Sequence, residues 1–278
     1  MSWPSAAPSP KEAFRLIART RRLYEFLVFY TGLLLFGAWA LAWSGLAALL
    51  CVVLPRRWRV PLGRLAVHWF CRCFIGLLRA SGIIRIDLSA LDALRGERAL
   101  IIAPNHPGLL DMVLLSSRLP GLACIIKADL RANPLLGGGA RLAGYICNDP
   151  PLLMVRGAVS ALRAGQQLLI FPEGTRTTQQ PVSGFKGGFA LIAKGAGAPV
   201  QTVFIEANTP FLGKGWPLLK KPSFPLVYRA RLGRRFEVMG EVKPFVGQLQ
   251  GYYQRELAAG AAVPARIEAV HSSALPAP

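Results

Sequence analysis

The sequence predicts an α/β fold, a mixed sheet flanked by helices, with a membrane-anchoring helical segment ahead of it. Three observations carry that expectation. An uncharged apolar run covers residues 26–54. Beyond Gly82, short apolar stretches alternate with segments of helical periodicity, the pattern of buried strands joined by helices. The chain is 53% hydrophobic and only 17% charged, with positive mean hydropathy, which is too apolar for an ordinary soluble enzyme.

Residues 1–22 are expected to form a disordered, basic arm: Pro, Ser and Ala dominate its start, and Lys11, Arg15, Arg19, Arg21 and Arg22 follow. Residues 23–80 are expected to hold membrane-anchoring helices. At ~1.5 Å per residue the apolar run would be roughly 43 Å long against a ~30 Å hydrocarbon core, enough for one tilted span and too short for two. A secretory signal peptide is disfavoured, because Arg56, Arg57, Arg59 and Arg64 follow the run where a cleavage site should stand. Basic residues at both ends favour a cytoplasmic position for both. Gly37, Trp43, Ser44 and Gly45 allow a bend. The run therefore reads as a shallow hairpin entering one leaflet, with a single tilted helix as the alternative. Residues 60–80 read as a second membrane-associated helix. Arg64, His68, Arg72 and Arg79 line one face, and Trp69, Phe70, Phe74, Ile75 and Leu78 cover most of the rest. His68 reads as a member of the basic face.

Residues 81–260 are expected to form the α/β domain. Strands are expected at 83–88, 100–103, 124–127, 168–171 and 200–205, and helices at 112–118, 154–164 and 187–195. Residues 210–235, rich in Pro, Lys and Arg, read as a surface excursion, after which a strand and a short helix close the fold. Residues 261–278 read as a tail.

The chain carries 33 Lys and Arg against 14 Asp and Glu. Such an excess suits nucleic acid or an anionic membrane. Zinc-finger spacing, an RNA-recognition signature and a basic heptad region are all missing, so the membrane is the expected partner and nucleic acid is not. The five cysteines are odd in number, and Cys71 and Cys73 do not have zinc-ligand spacing; they read as buried, reduced thiols in a cytosol-facing protein. His68, His106 and His271 lie far apart and form no ligand pattern, so no metal and no cofactor is expected.

The chemistry is expected around 105–111, Asn-His-Pro-Gly-Leu-Leu-Asp, which leaves an apolar strand and enters an apolar helix. Pro107 and Gly108 supply a tight turn that can bring Asp111 back to His106. A neutral imidazole held by a carboxylate can take a proton from an attacking hydroxyl. Alone, that spacing fits a structural turn as well as a catalytic pair. A second polar loop, 171–176, reads Phe-Pro-Glu-Gly-Thr-Arg after a strand. A guanidinium at Arg176 can grip a phosphate through two hydrogen bonds, Gly174 permits close backbone approach, and Glu173 can orient Arg176 or a loop amide. A plain Glu–Arg pair in a turn fits those residues too. No Gly-x-Ser-x-Gly elbow occurs, which disfavours a serine hydrolase.

Together these segments resemble the glycerolipid acyltransferase family. His106 and Asp111, preceded by Asn105, match its His-x-x-x-x-Asp motif, and 171–176 matches Phe-Pro-Glu-Gly-Thr-Arg without change, about 65 residues later. Lys127-Ala128-Asp129-Leu130, Phe185-Lys186-Gly187-Gly188 and Ala198-Pro199-Val200 extend the resemblance over about 60–245. It implies a glycerolipid-acyltransferase-like mixed sheet, with His106 and Asp111 catalytic and Asn105, Lys127, Glu173, Gly174, Thr175 and Arg176 binding substrate. It implies transfer of a fatty acyl group from acyl-CoA or acyl carrier protein to a lysolipid hydroxyl. The foremost acceptor would be 1-acylglycerol-3-phosphate, giving phosphatidic acid; another such as lyso-ornithine lipid is the alternative, and a non-catalytic lipid-binding member of the fold is the rival. The expected location is the inner (cytoplasmic) membrane, with the catalytic domain facing the cytoplasm. Asn148 and Thr202 depart from the family pattern and bear on the acceptor.

Overall fold

The computed structural model describes residues 9–261. Helix α1 spans Pro10–Val53. Ser9 starts it: its hydroxyl accepts from the Glu12 amide at 3.3 Å, and the Glu12 carboxylate accepts from the Ser9 amide at 2.9 Å. Pro10 sits in the first turn, where no amide partner is needed. The expected basic arm is thus helical from Pro10 on, while residues 1–8 lie outside the described residues, as does the expected tail after Ala261.

Helix α1 runs unbroken past Gly37 and Gly45, so the expected bend is not there. The turn comes at Leu54 and Pro55, where the proline forces its predecessor out of helical geometry. Helix α2 (Arg56–Ala80) then folds back along α1. Arg59 donates to the Cys51 carbonyl at 2.8 Å near the turn, and Tyr24 donates to the Ser81 carbonyl at 2.7 Å at the far end. The run over 26–54 is thus one helix and not the expected hairpin, and the reversal is made between two whole helices.

One stripe of α1 (Phe29, Ala40, Ser44, Ala47) is buried. It presses on helix α5 (Gly137–Leu142), where Gly138 donates to the Ser44 hydroxyl at 2.9 Å. A methyl group at Gly138 would fall on the Ser44 carbonyl oxygen, so only glycine allows this crossing. On α2 the inward face holds Arg64, His68, Cys71, Phe74 and Ile75. The expected basic face is therefore split. His68 is buried with Nδ1 2.7 Å from the Ser116 carbonyl, Arg64 is buried too, and Arg72 and Arg79 stay exposed. Packing against α3 (Leu110–Arg118) decides this orientation. Of the thiols, Cys71 and Cys124 are buried as expected, whereas Cys73 is exposed.

The seven-stranded sheet has the order β1-β7-β6-β2-β5-β3-β4. Its strands are β1 (Ile84–Asp87), β2 (Ile101–Pro104), β3 (Ala123–Ile126), β4 (Ile146–Cys147), β5 (Leu168–Leu169), β6 (Val200–Ala207) and β7 (Leu226–Phe236). Neighbours are parallel except β6 and β7. Helices α1, α2 and α3 cover one face through a core including Phe29, Phe74, Leu114 and Ile102. Helices α6 (Pro151–Arg163), α7 (Gly188–Ala196) and α8 (Val242–Ala261) cover the other, around Leu162, Phe189, Phe204 and Tyr253. Short helix α4 (Ala128–Ala132) joins β3 to the α5 segment.

The expected surface excursion over 210–235 ends early, because its second half is β7, the longest strand of the sheet. Leu226, Tyr228 and Ala230 point into the core while Arg229 and Arg231 alternate away from it, a period of two that the basic composition masks. The closing helix has 20 residues and is not short.

Candidate active site

Parallel strands β2, β5 and β3 end at the same edge of the sheet, so the segments that follow them converge there, as ligand-binding segments do in α/β folds. His106 follows β2, 171–176 follows β5, and Lys127 follows β3.

The His106 ring lies with Nδ1 2.8 Å from Asp111 Oδ2. Asp111 opens α3 and its side chain is fully buried, while the His106 side chain is 14% exposed. The same carboxylate oxygen accepts from the Gly108 amide at 2.8 Å, which closes the Pro107-Gly108 turn. Phe171 stacks on the imidazole at 3.8 Å between centroids and 17° between planes. The ring is thereby fixed on one edge by the carboxylate and on one face by the phenyl group. Burial pushes the Asp111 carboxyl up from its ordinary range, against hydrogen bonds from His106 and Gly108 that pull it down. With Nδ1–H donated to Asp111, Nε2 is the nitrogen left to accept a proton.

Two residues expected to bind substrate do something else. Asn105 is buried and spends its amide on β6: its oxygen accepts from Ile205 N at 2.7 Å and its nitrogen donates to the Ile205 carbonyl at 3.0 Å. Glu173 is buried and ties three segments together. It accepts from the His106 amide at 3.0 Å, the Thr177 hydroxyl at 2.8 Å and the Ser183 amide at 2.8 Å. The orientation of a loop amide by Glu173 is therefore met, and the amide belongs to His106. Replacement of Glu173 by glutamine turns an NH2 group towards backbone donors. It is expected to cost about 1–3 kcal/mol in denaturant unfolding and to lower turnover through displacement of His106.

Arg176 donates through Nη1 to the carbonyls of Leu212 and Gly213, at 3.1 and 2.9 Å. Its Nε and Nη2 make no hydrogen bond among the described residues. Gly174 takes a left-handed φ of 67°, which turns the loop back on itself. Thr175 is partly exposed beside it. Lys127 is exposed at the head of α4. The Ala128 amide next to it donates to Asn148 Oδ1 at 3.1 Å, so Asn148 braces this corner. Thr202 is fully buried and donates to the Arg234 carbonyl at 2.7 Å, inside the sheet.

Sequence reasoning missed three contributors. The stacking role of Phe171 was not readable from its place in a motif. The 210–213 segment returns to the site: Leu109 N donates to the Leu212 carbonyl at 3.1 Å, and a methyl at Gly108 would stand 2.9 Å from the Phe211 carbonyl. Tyr228, on β7, has its phenol pushed up by burial and by the Asp111 charge, and nothing in its spacing signals that proximity.

A family model described as Acyltransferase matches residues 85–206, which contain both polar loops. The lyso-ornithine lipid O-acyltransferase of Pseudomonas aeruginosa is 31% identical over 212 residues, 72% of this chain and 74% of that protein. The chain belongs to the acyltransferase family. A second relative of this acyltransferase is the 1-acyl-sn-glycerol-3-phosphate acyltransferase of P. aeruginosa, 28% identical over 78% of the chain and 83% of the relative. Among solved structures, the 1-acyl-sn-glycerophosphate (LPA) acyltransferase PlsC of Thermotoga maritima superposes with a TM-score of 0.65. It covers 88% of this chain and 98% of that one at 19% identity, a likeness of fold. The expected fold of the acyltransferase, a mixed sheet flanked by helices, is thus shared with a solved structure.

Proposed function

We propose that this acyltransferase moves a fatty acyl group from an acyl thioester to the hydroxyl of a phosphate-bearing lysolipid, foremost 1-acylglycerol-3-phosphate. The observation that carries the reading is the buried Asp111 carboxylate 2.8 Å from His106 Nδ1. Asp111 holds the tautomer, and His106 Nε2 takes the proton as the acceptor oxygen attacks the thioester carbonyl. The tetrahedral intermediate collapses with rupture of the C–S bond. The departing sulfur takes the proton back from the imidazolium, and ester and free thiol leave. An enzyme nucleophile is not needed, because the thioester is already activated. Arg176, steadied by two loop carbonyls, and Lys127 hold the acceptor's phosphate.

Two further features support work at a bilayer. Helix α1 is long and apolar enough to cross a membrane, yet its buried stripe rests on the α/β domain, which favours a helix lying in one leaflet's surface. Exposed Leu34, Leu35, Trp39, Leu41 and Leu46 then face lipid. The 14 acidic residues against 33 basic ones suit an anionic surface and acidic acyl carrier protein as donor.

The test is thiol release from acyl-CoA and from acyl carrier protein thioester in mixed micelles, with lysophosphatidate or lyso-ornithine lipid as acceptor. Release with lysophosphatidate, and a Lys127→Ala variant whose KM for it rises about tenfold or more, is the expected outcome. Release with lyso-ornithine lipid alone would move the assignment to that acceptor. Binding without release from any acceptor would favour the lipid-binding rival.

A further inference from the structure

At the opposite edge of the sheet from His106 lies a cavity of about 850 Å³. Gly121 leads into β3, Gly144 into β4 and Gln166 into β5, so its walls stand at the amino ends of strands two of which, β3 and β5, lead at their carboxyl ends to Lys127 and to 171–176. Arg56, Arg57 and Arg64 line it, and no acidic residue does. That volume falls within the range of ligand sites, ~300–1,000 Å³.

The walls are built, while two of the charges are unspent. Arg64 is buried, and its guanidinium donates to the Ala143 carbonyl at 3.0 Å and to Gln166 Oε1 at 2.9 Å, which joins α2 to the chain before β5. Arg56 and Arg57 are exposed in the first turn of α2 and make no ion pair among the described residues. Ser160 on α6 adds a hydroxyl, and Leu65 and Val60 supply apolar wall. Unneutralised guanidinium groups at a helix start attract phosphate through charge and forked hydrogen bonds.

The surroundings are those of a lipid. The mouth adjoins the α1–α2 turn, where Leu49, Val52 and Val53 end α1 and Trp58, Leu62 and Leu65 begin the outer face of α2, all exposed. A free phosphate has no use for that apolar rim; a phospholipid places its chains there and its head group beside the arginines.

From this juxtaposition we infer that the cavity of Arg56, Arg57, Arg64 and Ser160 binds the phosphate-bearing head group of an anionic membrane phospholipid, separately from the His106 site. Such a lipid is a resident anchor: it is not consumed, and it pins the α1–α2 turn to the bilayer.

The test titrates the full chain in detergent with dihexanoyl phosphatidylglycerol below its micelle concentration, beside inorganic phosphate and dihexanoyl phosphatidylcholine. Arg56→Glu/Arg57→Glu should weaken phosphatidylglycerol binding about tenfold or more. Ser160→Trp, which fills the cavity and leaves the charge alone, should do the same. Arg19→Glu/Arg22→Glu, the same change of charge on exposed α1 residues, should bind like wild type, and so should His106→Ala. Should the double glutamate variant not fold, Arg56→Gln/Arg57→Gln takes its place. Wild-type binding in the cavity variants overturns the proposal, as does equal loss in the Arg19 and Arg22 variant. Inorganic phosphate or phosphatidylcholine binding as tightly as phosphatidylglycerol overturns it too.

Discussion

His106→Ala is expected to lower kcat by about 10²–10⁴-fold, the usual worth of a positioned general base, while the protein stays folded. The ring is part-exposed and packs mainly on Phe171. Its removal forfeits a stacking contact of about 0.5–1.5 kcal/mol and one of the two hydrogen bonds to the buried Asp111 carboxylate, a further cost of about 1–3 kcal/mol. Asp111→Asn is the more telling partner. The asparagine keeps the shape, and its oxygen in the Oδ2 place still accepts from both Nδ1–H and the Gly108 amide, so the tautomer stays and what is lost is the negative charge that stabilises the imidazolium. The loss should be smaller than that of His106→Ala, and the double variant should be scarcely worse than His106→Ala alone, because the two act as one unit. The measurement is single-turnover thiol release beside thermal unfolding. Wild-type kcat in folded His106→Ala, or equal behaviour of Asp111→Asn and wild type, would sink the assignment.

Gly138→Val is expected to unseat helix α1. Any Cβ at this position would collide with the Ser44 carbonyl and stand 2.5 Å from its hydroxyl. Backbone on both sides cannot yield, so α1 and α5 must separate. The cost starts from the ~1–3 kcal/mol of an overpacked core and adds the hydrogen bond from Gly138 N to the Ser44 hydroxyl. Gly37, on α1, is the control, since a Cβ there meets nothing within 4 Å. Gly37→Val should melt close to wild type, while Gly138→Val melts several degrees lower and becomes sensitive to protease near Ser44. Equal melting of the two variants would show that the crossing does not depend on glycine.

How far these features could be read from sequence follows from the range of the forces behind them. The strand–turn–helix around His106 is local: Pro107, Gly108 and the acidic residue at the helix start dictate it, and the structure has it where the spacing placed it. The 44-residue α1 was legible as apolar and long but not as straight. Gly37 and Gly45 permit a bend, and only packing on α5 and α2 decides against one. The orientation of α2 is hidden from its sequence for a related reason. Periodicity gives a basic face, but Arg64 and His68 find carbonyl and amide partners inside, and a charge so satisfied can be buried. The role of Asn105 was hidden because its partner Ile205 is 100 residues away in sequence. The same holds for Glu173, whose carboxylate looks like a ligand until the three donors around it are known. Strand β7 hides beneath its arginines, because a basic composition masks its alternation.

The long reach of Asn105 also sets an order of events during synthesis. Helix α1 is made first, whereas β2 is held in register by Ile205 and by Tyr253, whose phenol donates to the Ala103 carbonyl from 150 residues further on. At ~5–20 residues per second, roughly 8–30 s separate the emergence of β2 from that of its last clamp. Throughout that interval the nascent chain can already rest its oily end on lipid while its catalytic loops lack a frame. The ribosome thus delivers an adhesive before a reagent, and acyl thioesters in the surrounding fluid meet a competent enzyme only after it has been able to reach its substrate's own phase.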